Sequence, residues 1–126
     1  MHKSKLGGFI IDCQTDDLDG AAQFWGAALG MPVRELPSEE AALYKRLEDF
    51  QHGLDIEVQK VSHASRVHLD IETDDIEAEV RRLETLGARR LQAVSTWWVM
   101  EAPTGQRFCV VRAASKSFAE RATQWP

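Results

Sequence analysis

Two stretches of the chain carry the same pattern. Phe9–Gly30, FIIDCQTDDLDGAAQFWGAALG, laid over Val67–Gly87, VHLDIETDDIEAEVRRLETLG, matches Asp12 to Asp70, Thr15 to Thr73, Asp16 to Asp74 and Asp17 to Asp75, at a constant offset of 58 residues. Each copy reads as an alternating strand, a Thr-Asp-Asp cluster suited to cap a helix, and a helical stretch closed by Leu-Gly, where a left-handed C-cap belongs. The spacing predicts one helix from about Leu18 to Leu29, with Leu18, Ala21, Ala22, Trp25 and Leu29 on its apolar stripe. A second runs from about Ile76 to Leu86, with Ile76, Val80, Leu83 and Leu86. Asp16-Asp17 and Asp74-Asp75 precede these helices, so capping and the helix dipole explain them better than acidic catalysis.

Three strand-like segments follow each helix. After the first come PVREL, AALYKRLE and LDIEVQKV, separated by PSEE and DFQHG; after the second come ARRLQAV, TWWVME and RFCVVRA, the last two joined by the turn APTGQ. The expected fold class is α+β, built from two tandem βαβββ modules at about 6–61 and 66–112. Leu6-Gly7-Gly8 precedes a strand and lacks the lysine of a phosphate loop, so it is read as the entry into the sheet. The tail at 113–126 is an accessory, either a short helix carrying Phe118 and Ala122 or a segment lying against the body, with Trp125 as a packing anchor.

A chain of 126 residues and 14.2 kDa is one domain's worth. No apolar run approaches the roughly 18 residues needed to span a bilayer, and Asp12 interrupts the run that begins at Phe9 before it resembles a signal peptide. Cytoplasmic residence is therefore expected, with Cys13 and Cys109 as reduced, half-buried thiols rather than a disulfide. The net charge of −5 argues against a nucleic-acid partner. Neither Arg81-Arg82 nor Arg89-Arg90 forms a basic stripe; both read as solvated faces.

In VHLDIETDD, Val67, Leu69 and Ile71 share one side of the strand, and His68, Asp70 and Glu72 the other. That second face is unusually polar. Two βαβββ modules of this length, with FW in a first helix closed by ALGM, VHLDIETDD opening the second half, and APTGQRFCVV as the last hairpin, resemble the vicinal oxygen chelate superfamily. This is the group of glyoxalase I, bleomycin-resistance proteins and extradiol dioxygenases, and the chain is most similar to its small glyoxalase-like single-domain members.

The resemblance implies curled half-barrel sheets around a cavity, a twofold homodimer and a divalent metal near the cavity floor. Its four ligand positions fall on Ile10, Glu57, His68 and Cys109. Ile10 cannot ligate, and Cys109 stands where a hard-metal site wants a carboxylate. The implied cavity-facing set is Ile10, Asp12 and Gln14; Asp55, Glu57 and Gln59; His68, Asp70 and Glu72; Arg107, Cys109 and Val111.

Several roles are open to these residues. Glu57, His68 and Cys109 make a three-ligand site with an open position for one divalent ion, zinc, iron, nickel or manganese, in which Asp70 or Asp12 orients His68. Without metal, His68 is a polar contact or a general base beside Asp70 or Glu57. Cys109 is a filler, a ligand, or a nucleophile activated by Arg107 and His68. Of Trp97 and Trp98, on opposite faces, one packs inward and the other looks outward or across the cavity mouth, Trp98 being the one assigned to ligand contact. Two functions follow from the resemblance: a metal-dependent lyase, isomerase or dioxygenase using Glu57 and His68, and a metal-free protein that holds a small organic molecule, with Asp12, Asp70, Trp98, Arg107 and Cys109 as contacts.

Overall fold

A computed structural model describes the backbone of residues 1–126 and all side chains except those of residues 38 and 39. The chain divides into two compact units, one of residues 9–67 and one of residues 1–8 with 68–126. The secondary structure is mixed α+β, mostly strands with few helices.

In the unit of residues 9–67, the second half of β1 (His2–Gln14) leads into α1 (Leu18–Leu29), β2 (Val33–Glu35), β3 (Tyr44–Glu48) and β4 (Asp55–Val61). The helix spans the residues its stripe predicts. Asp17 caps it, its Oδ1 accepting the Gly20 N–H at 2.9 Å, and Gly30 closes it at a left-handed φ of 70°. Leu18 and Ala22 are buried against Ile11, Leu47, Ile56 and Val58, with Ala21 and Trp25 partly covered. Leu29 is exposed and does not join the core. The segment expected as the strand AALYKRLE begins instead with a short 3-10 helix, Ser38–Ala42, and only Tyr44–Glu48 pairs as a strand. Arg34 and Arg46 stand opposite each other across β2 and β3, and Lys45, on the other face of β3, is buried between the carboxylates of Glu35 (2.5 Å) and Asp19 (3.0 Å).

In the other unit, β5 (Arg66–Thr73) leads to α2 (Ile76–Thr85), β6 (Arg89–Val94), β7 (Trp97–Glu101) and β8 (Arg107–Arg112). Its strand order is β5-β8-β7-β6, with β5 and β8 parallel and the rest antiparallel. Asp75 caps α2 through the Ala78 N–H, and Gly87 takes up a left-handed φ of 105° after it. Val80 and Leu83 pack with Met100, Phe108 and Val110, whereas Leu86 at the end of the stripe is exposed.

Two features differ from the sequence reading. The first strand starts at His2 rather than after Gly8, so Leu6-Gly7-Gly8 lies within β1 and is no entry segment. The tail forms a short helix, one of its two expected forms, as α3 (Phe118–Arg121), but it also adds a strand that was not expected: β9 (Thr123–Trp125) pairs antiparallel with the start of β1, His2 opposite Trp125 and Ser4 opposite Thr123. Backbone donors and acceptors at both termini thereby find partners that local sequence could not indicate.

Candidate functional site

Strands β5 and β8 place the chemistry. Phe108 and Val110 are buried under α2, which fixes the face of β8 that points away from it: Arg107, Cys109 and Val111. The parallel register sets Asp70 opposite Cys109 and Leu69 opposite Phe108. His68 and Asp70 are two residues apart on one face of β5, and His68 Nε2 lies 3.8 Å from Asp70 Oδ1.

One ligating atom from each of His68, Asp70 and Cys109 falls within 4.8 Å of the other two. These are an imidazole nitrogen, a carboxylate oxygen and a sulfur. All three residues are partly buried. Glu72, next on the same face, is already engaged: Lys5 Nζ lies 3.3 Å from its Oε1, Ser115 Oγ donates to that oxygen at 2.5 Å, and the N–H groups of Ala114 and Ser115 point at Oε2.

The covered side of β5 is its polar side. His68 and Asp70 side chains are 16% and 19% exposed and Glu72 5%, whereas Val67 and Leu69 are 58% and 50% exposed. Alternation divides the strand into the two faces expected, but the apolar face is the open one over its first half. Only Ile71, farther along, packs against the core beneath α2.

The remaining candidates are distributed over the chain. Glu57 is partly buried on β4, cross-strand from Arg46, in the unit of residues 9–67. Asp12, in the same unit, is 2% exposed, with Arg66 Nε 3.7 Å from its Oδ2. Ile10 is buried. Trp98 packs on the core beneath α2, with the Arg90 guanidinium 5.1 Å from its ring centroid. Val99 pairs with Cys109 across β7–β8, so Trp97, two residues before it, shares the face of Cys109. Arg107 is exposed on that face, opposite Glu101. Burial raises the Cys13 pKa. The sequence reading placed Asp70 behind His68; its approach to Cys109 depends on the β5–β8 register, which no local pattern reveals.

Comparison with known proteins agrees with this architecture. Residues 8–111 match the model of the glyoxalase-like domain family. A methylmalonyl-CoA epimerase solved with methylmalonyl-CoA is similar in fold, with a TM-score of 0.59 at 17% identity over 89% of this chain and 96% of that one. The Mycobacterium tuberculosis methylmalonyl-CoA epimerase gives 0.63 at 16% identity over 86% and 88%. A hypothetical protein of Bacillus halodurans gives 0.64 at 12% over 88% and 96%. No curated protein sequence matches significantly. Among the described residues, no helix is long and apolar enough to cross a membrane. The match over residues 8–111 places the chain in the glyoxalase-like domain family, and the fold agrees with that membership.

Proposed function

We propose that the protein binds a small organic molecule against the polar face shared by β5 and β8, and that its chemistry is of the isomerase or lyase type. One observation carries this reading: β5 covers His68, Asp70 and Glu72 and leaves Val67 and Leu69 open. Covering polar groups while exposing aliphatic ones is unfavourable for a strand that only has to fold, since desolvation costs free energy and apolar exposure gains none. A face organised for a ligand accounts for that arrangement.

Ligands of the expected class carry a carbonyl or carboxylate that Arg107 and the β5–β8 side chains recognise. A divalent ion, when bound, would polarise a carbonyl oxygen and so acidify the neighbouring C–H. The epimerases of similar fold lend the superfamily context only; at 16–17% identity they assign no substrate here.

The twofold dimer implied by the family belongs to the same reading. Val67 and Leu69 offer the kind of surface a second copy covers. Sedimentation at twice the 14.2 kDa chain mass is the expected result, and a monomer at all concentrations would remove this part.

The binding test is a thermal-shift screen with 2-oxo acids, catechols and CoA thioesters. A ligand at about 100 times its Kd adds about 2.7 kcal/mol, a rise of several degrees in Tm that His68→Ala should abolish. Exchange of the substrate's carbon-bound proton for deuterium in D2O, followed by NMR, then tests the chemistry. Absence of any shift, or a shift that survives His68→Ala, would overturn the reading.

A further inference from the structure

We propose that His68, Asp70 and Cys109 form a three-ligand centre for a thiophilic divalent ion, zinc by preference, built wholly from β5 and β8. The inference rests on the ligand-binding reading of the same face and specifies what that face holds.

The donor set departs from the one the family resemblance implies. That set takes its carboxylate from Glu57, on β4 of the other unit. Here the carboxylate comes from the strand that supplies the histidine, and the parallel register brings the thiol alongside it. Tetrahedral zinc, with bonds of about 2.0–2.3 Å, holds neighbouring ligand atoms roughly 3.3–3.8 Å apart. His68 Nε2 and Asp70 Oδ1 are already 3.8 Å apart, and the three ligating atoms span no more than 4.8 Å. Closing the rest takes about 1 Å of side-chain adjustment on strands whose backbones are locked by ladder hydrogen bonds.

Chemistry selects the ion. A thiolate and an imidazole favour zinc over magnesium, calcium or manganese, which prefer all-oxygen shells. Glu72 cannot serve as a fourth protein ligand without surrendering Lys5, Ser115 and two backbone N–H groups. Three protein ligands leave an open coordination position, the arrangement of a catalytic rather than a structural zinc site. Binding releases the Cys109 thiol proton to solvent, so affinity rises with pH.

Cobalt reports on the site without any assay of activity. Full-length protein, stripped with chelator and kept reduced, is titrated with Co2+ alone. The expected spectrum has a near-ultraviolet thiolate-to-cobalt charge-transfer band and the intense visible bands of a four-coordinate ion, saturating at one equivalent and displaced by zinc. Cys109→Ser should remove the charge-transfer band, and Asp70→Asn and His68→Ala should each weaken binding at least tenfold. Glu57→Gln should bind as wild type. Far-UV circular dichroism identifies variants that fail to fold, and Cys109→Ala provides a second test of the thiolate.

A wild-type spectrum without the charge-transfer band overturns the centre. So does Glu57→Gln weakening binding as much as Asp70→Asn, which hands the carboxylate to Glu57. Repeating the thermal-shift screen on the stripped protein separates the two proposals: ligands that bind without any cobalt band leave the ligand reading standing alone. A cobalt band with no ligand hit leaves the metal centre standing alone.

Discussion

Glu79 is completely buried on α2, and His2, near the other end of the unit's chain path, brings Nε2 to 2.8 Å from its Oε1. Arg82 completes the arrangement with two 2.8 Å hydrogen bonds to both carboxylate oxygens. Burial pushes the Glu79 carboxyl up, but the hydrogen bonds from Arg82, His2 and Ser4 outweigh it and hold the pKa below the ordinary value. The unfolded chain therefore takes up this proton first as pH falls. Stability from Glu79 is fully present above the ordinary glutamate range, about pH 4.3, and is lost as pH falls through the lower folded value. Urea unfolding at a series of pH values should show wild type losing stability below about pH 5 and Glu79→Gln changing less over the same range. At neutral pH the substitution should cost about 2–3 kcal/mol, short of the figure for a wholly buried pair because Arg82 is partly exposed. An unchanged acid limb would place the acid sensitivity elsewhere.

The same guanidinium links the tail to the body. Arg82 Cζ lies 3.8 Å from the Trp125 ring centroid, and Trp125 Nε1 donates to Ser4 Oγ at 2.9 Å. Trp125→Ala removes a cation–π contact and a hydrogen bond, so it should destabilise by about 1–2 kcal/mol. Because Glu79 orients the guanidinium that Trp125 stacks on, a double-mutant cycle between Glu79→Gln and Trp125→Ala should give coupling above about 0.5 kcal/mol. Strictly additive effects would mean that the tail docks independently of the buried carboxylate.

Within each Thr-Asp-Asp cluster the second aspartate is the cap. Asp17 accepts from Gly20 N–H, and Asp75 from Ala78 N–H. Asp75→Ala and Asp17→Ala should each cost about 1 kcal/mol in chemical denaturation. Asp74 does different work: its Oδ1 accepts the Lys3 N–H at 2.8 Å, and its own N–H reaches Lys3 O. Asp74→Ala should therefore increase amide exchange at the start of β1 while leaving α2 protected, the opposite of Asp75→Ala.

The repeat made much of this legible. Caps, helix starts and closing glycines obey short-range rules; the caps Asp17 and Asp75 and the helix starts Leu18 and Ile76 recur at the 58-residue offset, and each helix is followed by a glycine, Gly30 or Gly87. Alternation likewise divided β4 and β8 correctly: Ile56, Val58, Phe108 and Val110 are all buried on the helix side. What escaped depends on distant partners. Glu79 interrupts the apolar stripe of α2 with a charge whose partners include His2, and β9 is only three residues long, held by Ser4 and Arg82. On β5 alternation gives two faces but not which one is covered. The approach of Asp70 to Cys109 follows from the β5–β8 register, set by pairing some forty positions apart in sequence.

Gly26 shows how packing reverses a local rule. A glycine inside a helix costs about 1 kcal/mol relative to alanine, so Gly26→Ala should stabilise α1 if propensity alone decided. A Cβ at this position would stand 2.9 Å from the carbonyl oxygen of Met31 and 2.9 Å from Val33 Cγ2. Met31 N–H also donates to Gly26 O at 2.9 Å, which ties the returning chain to the helix at the point where the methyl would intrude. Val33 can rotate, but the backbone oxygen moves only if the turn into β2 moves with it. Overpacking of this kind costs about 1–3 kcal/mol, more than the propensity gain, so Gly26→Ala should lower Tm. A raised Tm would show that the turn from α1 to β2 yields easily and that the close approach is not what keeps glycine there.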